Sequence, residues 1–213
     1  MARPISHERR RQVALAAFDA IRQRGSYGMT MSDLAQALEM KRSTLYWYFR
    51  DMGHVFETVL EHVLERQRAH LAERFAAATQ ADDLRSPPHP IDLLWGYAQG
   101  VWDFFDREGP YLLALVSFWG HAEGDEPGRV VEVTNRHFLP LVEAAVAQLE
   151  AGIARGQVAP CNPRAVVDLV AALIDGALVH RVTRGMPIGP VGTLLWETVL
   201  LPLKRAPTAQ DGS

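Results

Sequence analysis

With 213 residues, 48% of them hydrophobic and 22% charged, the chain has the make-up of an ordinary globular protein, with room for a small domain joined to a larger one. No apolar run approaches the ~20 residues a bilayer demands. The N-terminal stretch is interrupted by Gln12, Asp19 and Arg22 and lacks a secretory core, and the single Cys161 excludes an internal disulfide or a cysteine metal site, so a reduced, cytoplasmic compartment is expected. The formal net charge of -3 is unevenly shared: residues 1–50 carry nine Lys/Arg against four acids, residues 51–213 thirteen against twenty-one, a basic block of +5 on a body of -8. Such a block points to a polyanion as its partner.

In chain order, Val13, Ala14, Ala17, Phe18 and Ile21 form the apolar stripe of a first helix that stops at Arg24-Gly25. Thr30 or Ser32 can cap a short helix through Leu38; a turn follows at Glu39-Met40, then a second short helix to about Tyr48. Asp51 can cap a long helix whose stripe is Val55, Phe56, Val59, Leu60, Val63, Leu64, Leu71 and Phe75. Residues 80–90 are polar and proline-rich, hence a loop. Ile91, Leu94, Trp95, Ala98, Val101, Trp102 and Phe105 share the next helical face, and a short apolar helix is expected from Tyr111 to about Trp119. An acidic loop spans 120–128, a long helix runs from about Arg129 to Arg155 with a possible kink at Pro140, and further helices are expected at 164–184 and near 190–204. No strand pattern is present, and the tail 206–213 is expected to be disordered. The fold class is therefore all-α, with about nine helices: a three-helix N-terminal domain over 1–51 and a larger helical domain over 52–205.

The stretch Thr30 to Phe56 carries the most chemistry. Leu34, Ala35 and Leu38 of one short helix face Leu45 and Phe49 of the next, and Ala35 permits a close crossing. The second helix opens with Lys41, Arg42, Ser43 and Thr44, polar and basic side chains at the end that a helix-turn-helix inserts into the major groove. A helix of this length cannot bury Leu45, Tyr46, Trp47, Tyr48 and Phe49 all round, so at least two of these must be exposed.

Over roughly residues 8–60, this order of elements resembles the TetR/AcrR family of bacterial transcriptional regulators: a first helix ending in glycine, a Thr-x-x-x-Leu-Ala start, and the Leu45-Tyr46-x-Tyr48-Phe49 signature before a capped fourth helix. The sequence departs from the family pattern at three places. Glu39 stands where glycine is preferred in the turn, Lys41 where a small capping residue is usual, and Arg50-Asp51-Met52-Gly53 where Pro-Ser/Asn-Lys-Glu is usual. The resemblance implies that Thr44 and Tyr46 bind phosphate by hydroxyl, and that Lys41, Arg42 and Ser43 reach base edges or flanking phosphates. Trp47 and Tyr48 would pack on the DNA backbone or read thymine methyls, with Thr30 counted among the DNA-binding positions. Tyr46 and Tyr48 are favoured over Trp47 for a DNA role. Arg9, Arg10 and Arg11 are further candidates for tracking phosphates.

For the larger domain the resemblance implies a homodimer built as a four-helix bundle on a two-fold axis, with Val167, Ala171, Ile174, Leu178, Leu194, Leu195 and Val199 at the interface. It also implies a cavity for a small, largely apolar effector, for which Trp95, Trp102, Phe105, Phe118, Trp119, His121, Phe138 and Asp175 are the candidate lining. The implied function is ligand-responsive regulation by a repressor released from a pseudo-palindromic double-stranded DNA operator. The alternatives are an activator, or a helical interaction protein with a degenerate helix-turn-helix. No Gly-rich phosphate loop, HExxH or GxSxG element is present, and His121 and His137 lack ligand spacing with Glu123, Asp125 and Glu126. Neither an enzyme, nor a cofactor or metal, nor a membrane partner is expected.

Overall fold

The computed structural model describes residues 6–24, 29–81, 88–109, 111–112 and 129–205. Its elements are α1 (His7–Arg24), α2 (Met31–Ala37), α3 (Arg42–Tyr48), α4 (Met52–Ala81), α5 (Pro90–Arg107), α6 (Arg129–Ala154), α7 (Pro163–Arg184) and α8 (Gly189–Leu195). A π-helical turn, Trp196–Leu200, and a 3-10 turn, Leu201–Leu203, follow. Among the described residues there is no strand, only an isolated antiparallel bridge between Val158 and Lys204. The expectations for a helix at 111–119 and for the tail 206–213 fall largely or wholly outside the described residues. No helix among those described is long and apolar enough to cross a membrane.

Two compact units make up the chain: one holds residues 1–66 with 110–133, the other residues 67–109 with 134–213. The division therefore falls inside α4 and not at its start. In the first unit the α1 stripe Val13, Ala14, Ala17, Phe18 and Ile21 is buried, as are Leu34 and Ala35 of α2 and Leu45 of α3. Leu38, at the end of α2, is half-buried.

α2 begins at a reciprocal capping box. The Thr30 hydroxyl accepts the Asp33 N–H at 3.2 Å, and the Asp33 carboxylate accepts the Thr30 N–H at 2.9 Å. It ends in a Schellman arrangement: the Met40 N–H reaches the Ala35 carbonyl at 2.9 Å and the Glu39 N–H reaches Gln36 at 3.1 Å. That motif puts its first residue past the cap in the left-handed region. Glu39 has φ of 53°, the one positive φ at a non-glycine position among the described residues. Holding a side chain there costs about 1 kcal/mol, so Glu39→Gly is expected to raise stability by roughly that amount. Urea unfolding followed by circular dichroism reads this; a lower midpoint in the variant would mean that the Glu39 side chain makes a compensating contact.

In the second unit, α5 starts at His89, whose Nδ1 accepts the Ile91 N–H at 3.2 Å. The same ring must then carry its proton on Nε2, which donates to the Gln157 carbonyl at 2.9 Å. That carbonyl also accepts the Arg205 N–H at 2.8 Å, so the start of α5, the α6–α7 turn and the end of the described chain meet at one oxygen. Lys204 pairs with Asp92 at 2.8 Å beside it.

The last helix, expected to run unbroken to 204, departs from α geometry at Trp196. The Leu201 N–H bonds to the Trp196 carbonyl, five residues back. The Thr198 hydroxyl donates to the Leu194 carbonyl at 2.6 Å, the acceptor that its own N–H would use in an α-helix, and Pro202 has no N–H to continue the ladder. α7 ends as glycine dictates, at Gly185 with φ of 64°.

Candidate nucleic-acid interface

α3 is anchored by two side chains and offers the others outward. Leu45 is 0% exposed and Phe49 1% exposed, whereas Tyr46 is 43% and Trp47 49% exposed. Lys41, Arg42, Ser43 and Thr44 are all exposed on the first turn. The Arg42 guanidinium lies 5.4 Å from the Tyr46 ring centroid, with its Nη2 3.5 Å from the Tyr46 hydroxyl. This stacking orients both groups on one side of α3. Lys41 sits at the N-cap position but makes no side-chain cap, which leaves its ammonium free to reach outward.

Trp47 and Tyr48 meet edge to face, centroids 5.1 Å apart. Trp47 is the more exposed of the two and Tyr48 is half-buried, the reverse of the sequence-based preference for Tyr48. A step of one residue turns a helix by about 100°, so which of two adjacent aromatics faces solvent depends on how α3 packs. Thr30 is exposed, but its hydroxyl is engaged: it donates to Asp33 at 2.6 Å while capping α2.

The basic residues around α3 divide into those with acid partners and those without. Arg11 of α1 is held by Glu8 and by Glu65, the latter at 2.8 Å. The hydrogen bond and charge of Arg11 keep the Glu8 carboxyl below the usual range. Arg22 lies 3.7 Å from Asp19, and Arg9 bonds to Gln12 at 3.3 Å. Among the described residues no acid pairs with Lys41, Arg42 or Arg50. Arg50 belongs with this set on its exposure and free charge, although its place between two helices gave no sequence signal.

The candidate ligand-binding and dimer residues lie in the second unit where they are described. Trp102 and Phe105 are buried in the core; the Trp102 indole N–H reaches the Ile174 carbonyl at 3.4 Å. Trp95 is half-buried and packs on Trp102 at 6.2 Å and on Trp196 at 5.5 Å between centroids. Phe138 is half-buried on α6. Asp175 is exposed at the surface of α7, yet burial of its carboxyl raises its pKa. Tyr97 of α5, absent from the sequence-based candidates, is pushed up to about 12 by burial and then by the charge of Asp175. Phe118, Trp119 and His121 lie outside the described residues.

Of the candidate interface residues, Val167, Ile174 and Leu178 of α7, which packs on α5, and Leu195 of α8 are buried within the single chain. Ala171 and Val199 are half-buried. Leu194 is 61% exposed, and one step round α7 lies an outward row of Leu169, 44% exposed, with Ala172 and Gly176. Periodicity could not separate these faces, because α7 is apolar on both. No group of three or more His, Cys, Asp or Glu able to hold a metal exists among the described residues.

Comparison with known proteins agrees with this arrangement. Residues 15–59 match the family model of bacterial regulatory proteins, tetR family. A search of curated protein sequences returns no match. Among solved structures, the chain is similar to a candidate TetR-family transcriptional regulator from Rhodococcus sp. (21% identity, 87% of this chain and 94% of that one covered, TM-score 0.67). It is similar also to the fatty acid degradation regulator FadR from Bacillus halodurans (13% identity, 93% and 98% covered, TM-score 0.61). A third is the ketosteroid transcriptional regulator KstR2 of Mycobacterium tuberculosis (18% identity, 96% and 98% covered, TM-score 0.60). Residues 15–59, which hold α2 and α3, thus match the family model of the bacterial tetR-family regulators, and the chain shares the fold of these solved structures.

Proposed function

We propose that the protein is a cytoplasmic, homodimeric repressor that binds a pseudo-palindromic operator and leaves it when a small, largely apolar ligand enters its body. The observation that carries the DNA-binding half is α3 itself: a short helix fixed by Leu45 and Phe49 that offers Lys41, Arg42, Ser43, Thr44, Tyr46 and Trp47 to the outside, with no acid among the described residues pairing its cations. In this reading Arg42 and Lys41 reach base edges and phosphates, and the Thr44 and Tyr46 hydroxyls bind phosphate. Trp47 supplies an apolar edge for thymine methyls or sugar. Arg50 adds a phosphate contact from the turn before α4.

The exposure of Leu169 and Leu194 supports a second copy packing on α7 and α8. A two-fold dimer presents two copies of α3, about 34 Å apart or a little more, to successive major grooves. The apolar character of the effector rests on Trp95, Trp102, Phe105 and Phe138, and on likeness to a fatty acid degradation regulator and a ketosteroid regulator. α4 contributes to both compact units and is the element through which ligand occupancy would bias the DNA-binding state.

The test is fluorescence anisotropy of the full chain on labelled duplex from the region upstream of its own gene, against a scrambled duplex, over a salt series. Preference for the upstream duplex, with affinity that falls steeply as salt rises, is the expected outcome. Equal and weak binding to both would favour a helix-turn-helix that no longer reads sequence. Titration with fatty acyl and steroid compounds then checks the ligand half, and operator affinity indifferent to all of them would remove its support.

A further inference from the structure

The two helices that flank α3 open on related devices that differ in the capping group, in the side chain that reaches back and in the N–H it meets. α2 starts with reciprocal bonds between Thr30 and Asp33, and the residue that reaches back is a carboxylate. α4 starts with Asp51, whose carboxylate accepts the His54 N–H at 2.7 Å, while the His54 Nδ1 accepts the Arg50 N–H at 3.3 Å. Here the residue that reaches back is an imidazole. Nδ1 can accept only while it holds a lone pair, so this bond requires a neutral ring with its proton on Nε2. The ring is half-buried and stands edge-on to Phe49, centroids 5.6 Å apart. The charged groups around it are Arg10 of α1, Arg50 and Asp51 of the turn, and Glu57 of α4.

We propose that His54 is a proton-operated cap on the turn that carries α3 into α4: neutral, it holds that turn in its DNA-reading shape, and protonated, it releases it. In the protonated ring Nδ1–H would face the Arg50 N–H, donor against donor. A new positive charge would also stand beside Arg10 and Arg50. Burial first, and then the Arg50 cation, push His54 below its ordinary value, against the pull of Glu57. The sign follows: the cap is intact above the ordinary histidine range and is lost as pH falls through the lower folded value. Acid should therefore weaken DNA binding through this residue. The proposal rests on the DNA-binding reading above and adds a mode of regulation to it.

The test compares the full-length wild type with His54→Gln and His54→Ala. Glutamine at this position can accept the Arg50 N–H without titrating, and alanine cannot cap at any pH. Anisotropy on the upstream duplex, from about pH 7.5 to about pH 5.5, is expected to show wild-type affinity falling roughly fivefold more than that of His54→Gln, the equivalent of one hydrogen bond of ordinary strength. His54→Ala should be weak throughout. Parallel pH profiles for wild type and His54→Gln, or affinity that rises in acid through His54, would overturn the proposal. Absence of DNA binding at every pH would overturn the DNA-binding reading instead. Urea unfolding of the same proteins over the same range then decides on the cap: wild type must lose stability in acid relative to His54→Gln, and identical profiles reject it.

Discussion

Replacing Phe49 by alanine is expected to destabilise the N-terminal unit by about 3–5 kcal/mol, the range for emptying a buried aromatic site. Phe49 is 1% exposed, its N–H closes α3 onto the Leu45 carbonyl at 2.9 Å, and its ring contacts Tyr48 and His54. One side chain thus packs the recognition helix, ends it and backs the turn into α4. Domains of this size are stable by roughly 5–15 kcal/mol in total, so the loss would remove a large share of that margin. Urea unfolding by circular dichroism measures it, with DNA binding falling in parallel. Trp47→Ala is the control: two positions earlier, on α3, but 49% exposed, it should change stability by no more than about 0.5 kcal/mol. A Phe49 variant that unfolds at the wild-type midpoint would mean that α3 is held by Leu45 alone.

The second large effect is on binding. The double variant Lys41→Ala, Arg42→Ala is expected to lose about 2–6 kcal/mol of operator affinity, taking ~1–3 kcal/mol for each good contact to a base edge. If both cations meet phosphate instead, binding falls alike on operator and scrambled duplex, and the slope of log K against log salt becomes shallower by about 2. The two outcomes separate sequence reading from simple attraction. Thermal stability should hardly change, since both side chains are exposed and no acid pairs with them among the described residues. Unchanged affinity would show that the cations stay solvated in the complex and that recognition lies elsewhere on the unit.

The parts of this molecule that could be read from sequence are those governed by local rules. The α1 stripe, the Thr30 start of α2, the inward Leu45 and Phe49 and the Asp51 cap all follow from helical periodicity and from oxygen-bearing side chains at helix starts. The positive φ of Glu39 was also legible, because the turn geometry needs it whichever residue is present. Features decided by packing were not. Val167 and Leu169 are both apolar and two positions apart on α7, yet one is buried and the other open. Only the position of α5 settles which is which. The π-turn at Trp196 hides in a run that reads as plain helix, where a hydroxyl and a proline together shift the hydrogen bonds. His54 and His89 were missed as helix caps because histidine is an uncommon choice there. The signals were present: Asp-x-x-His at the start of α4, and a ring acceptor directly before Pro90 at the first position of α5.

The approach of α8 to the tryptophans of α5 limits how this protein can change over generations. A side chain at Gly192 would place its Cβ 3.1 Å from Trp102 Cζ3 and 3.4 Å from Trp95 Cη2. Indole rings are rigid, and the Trp102 N–H is already tied to a backbone carbonyl, so neither neighbour yields easily. A side chain at 192 therefore needs the Trp102 ring to give by a few tenths of an ångström, and a larger residue there is better tolerated where 102 is smaller. The two sites are therefore coupled through this contact, and a residue larger than glycine at 192 is expected to be found together with a smaller residue at 102.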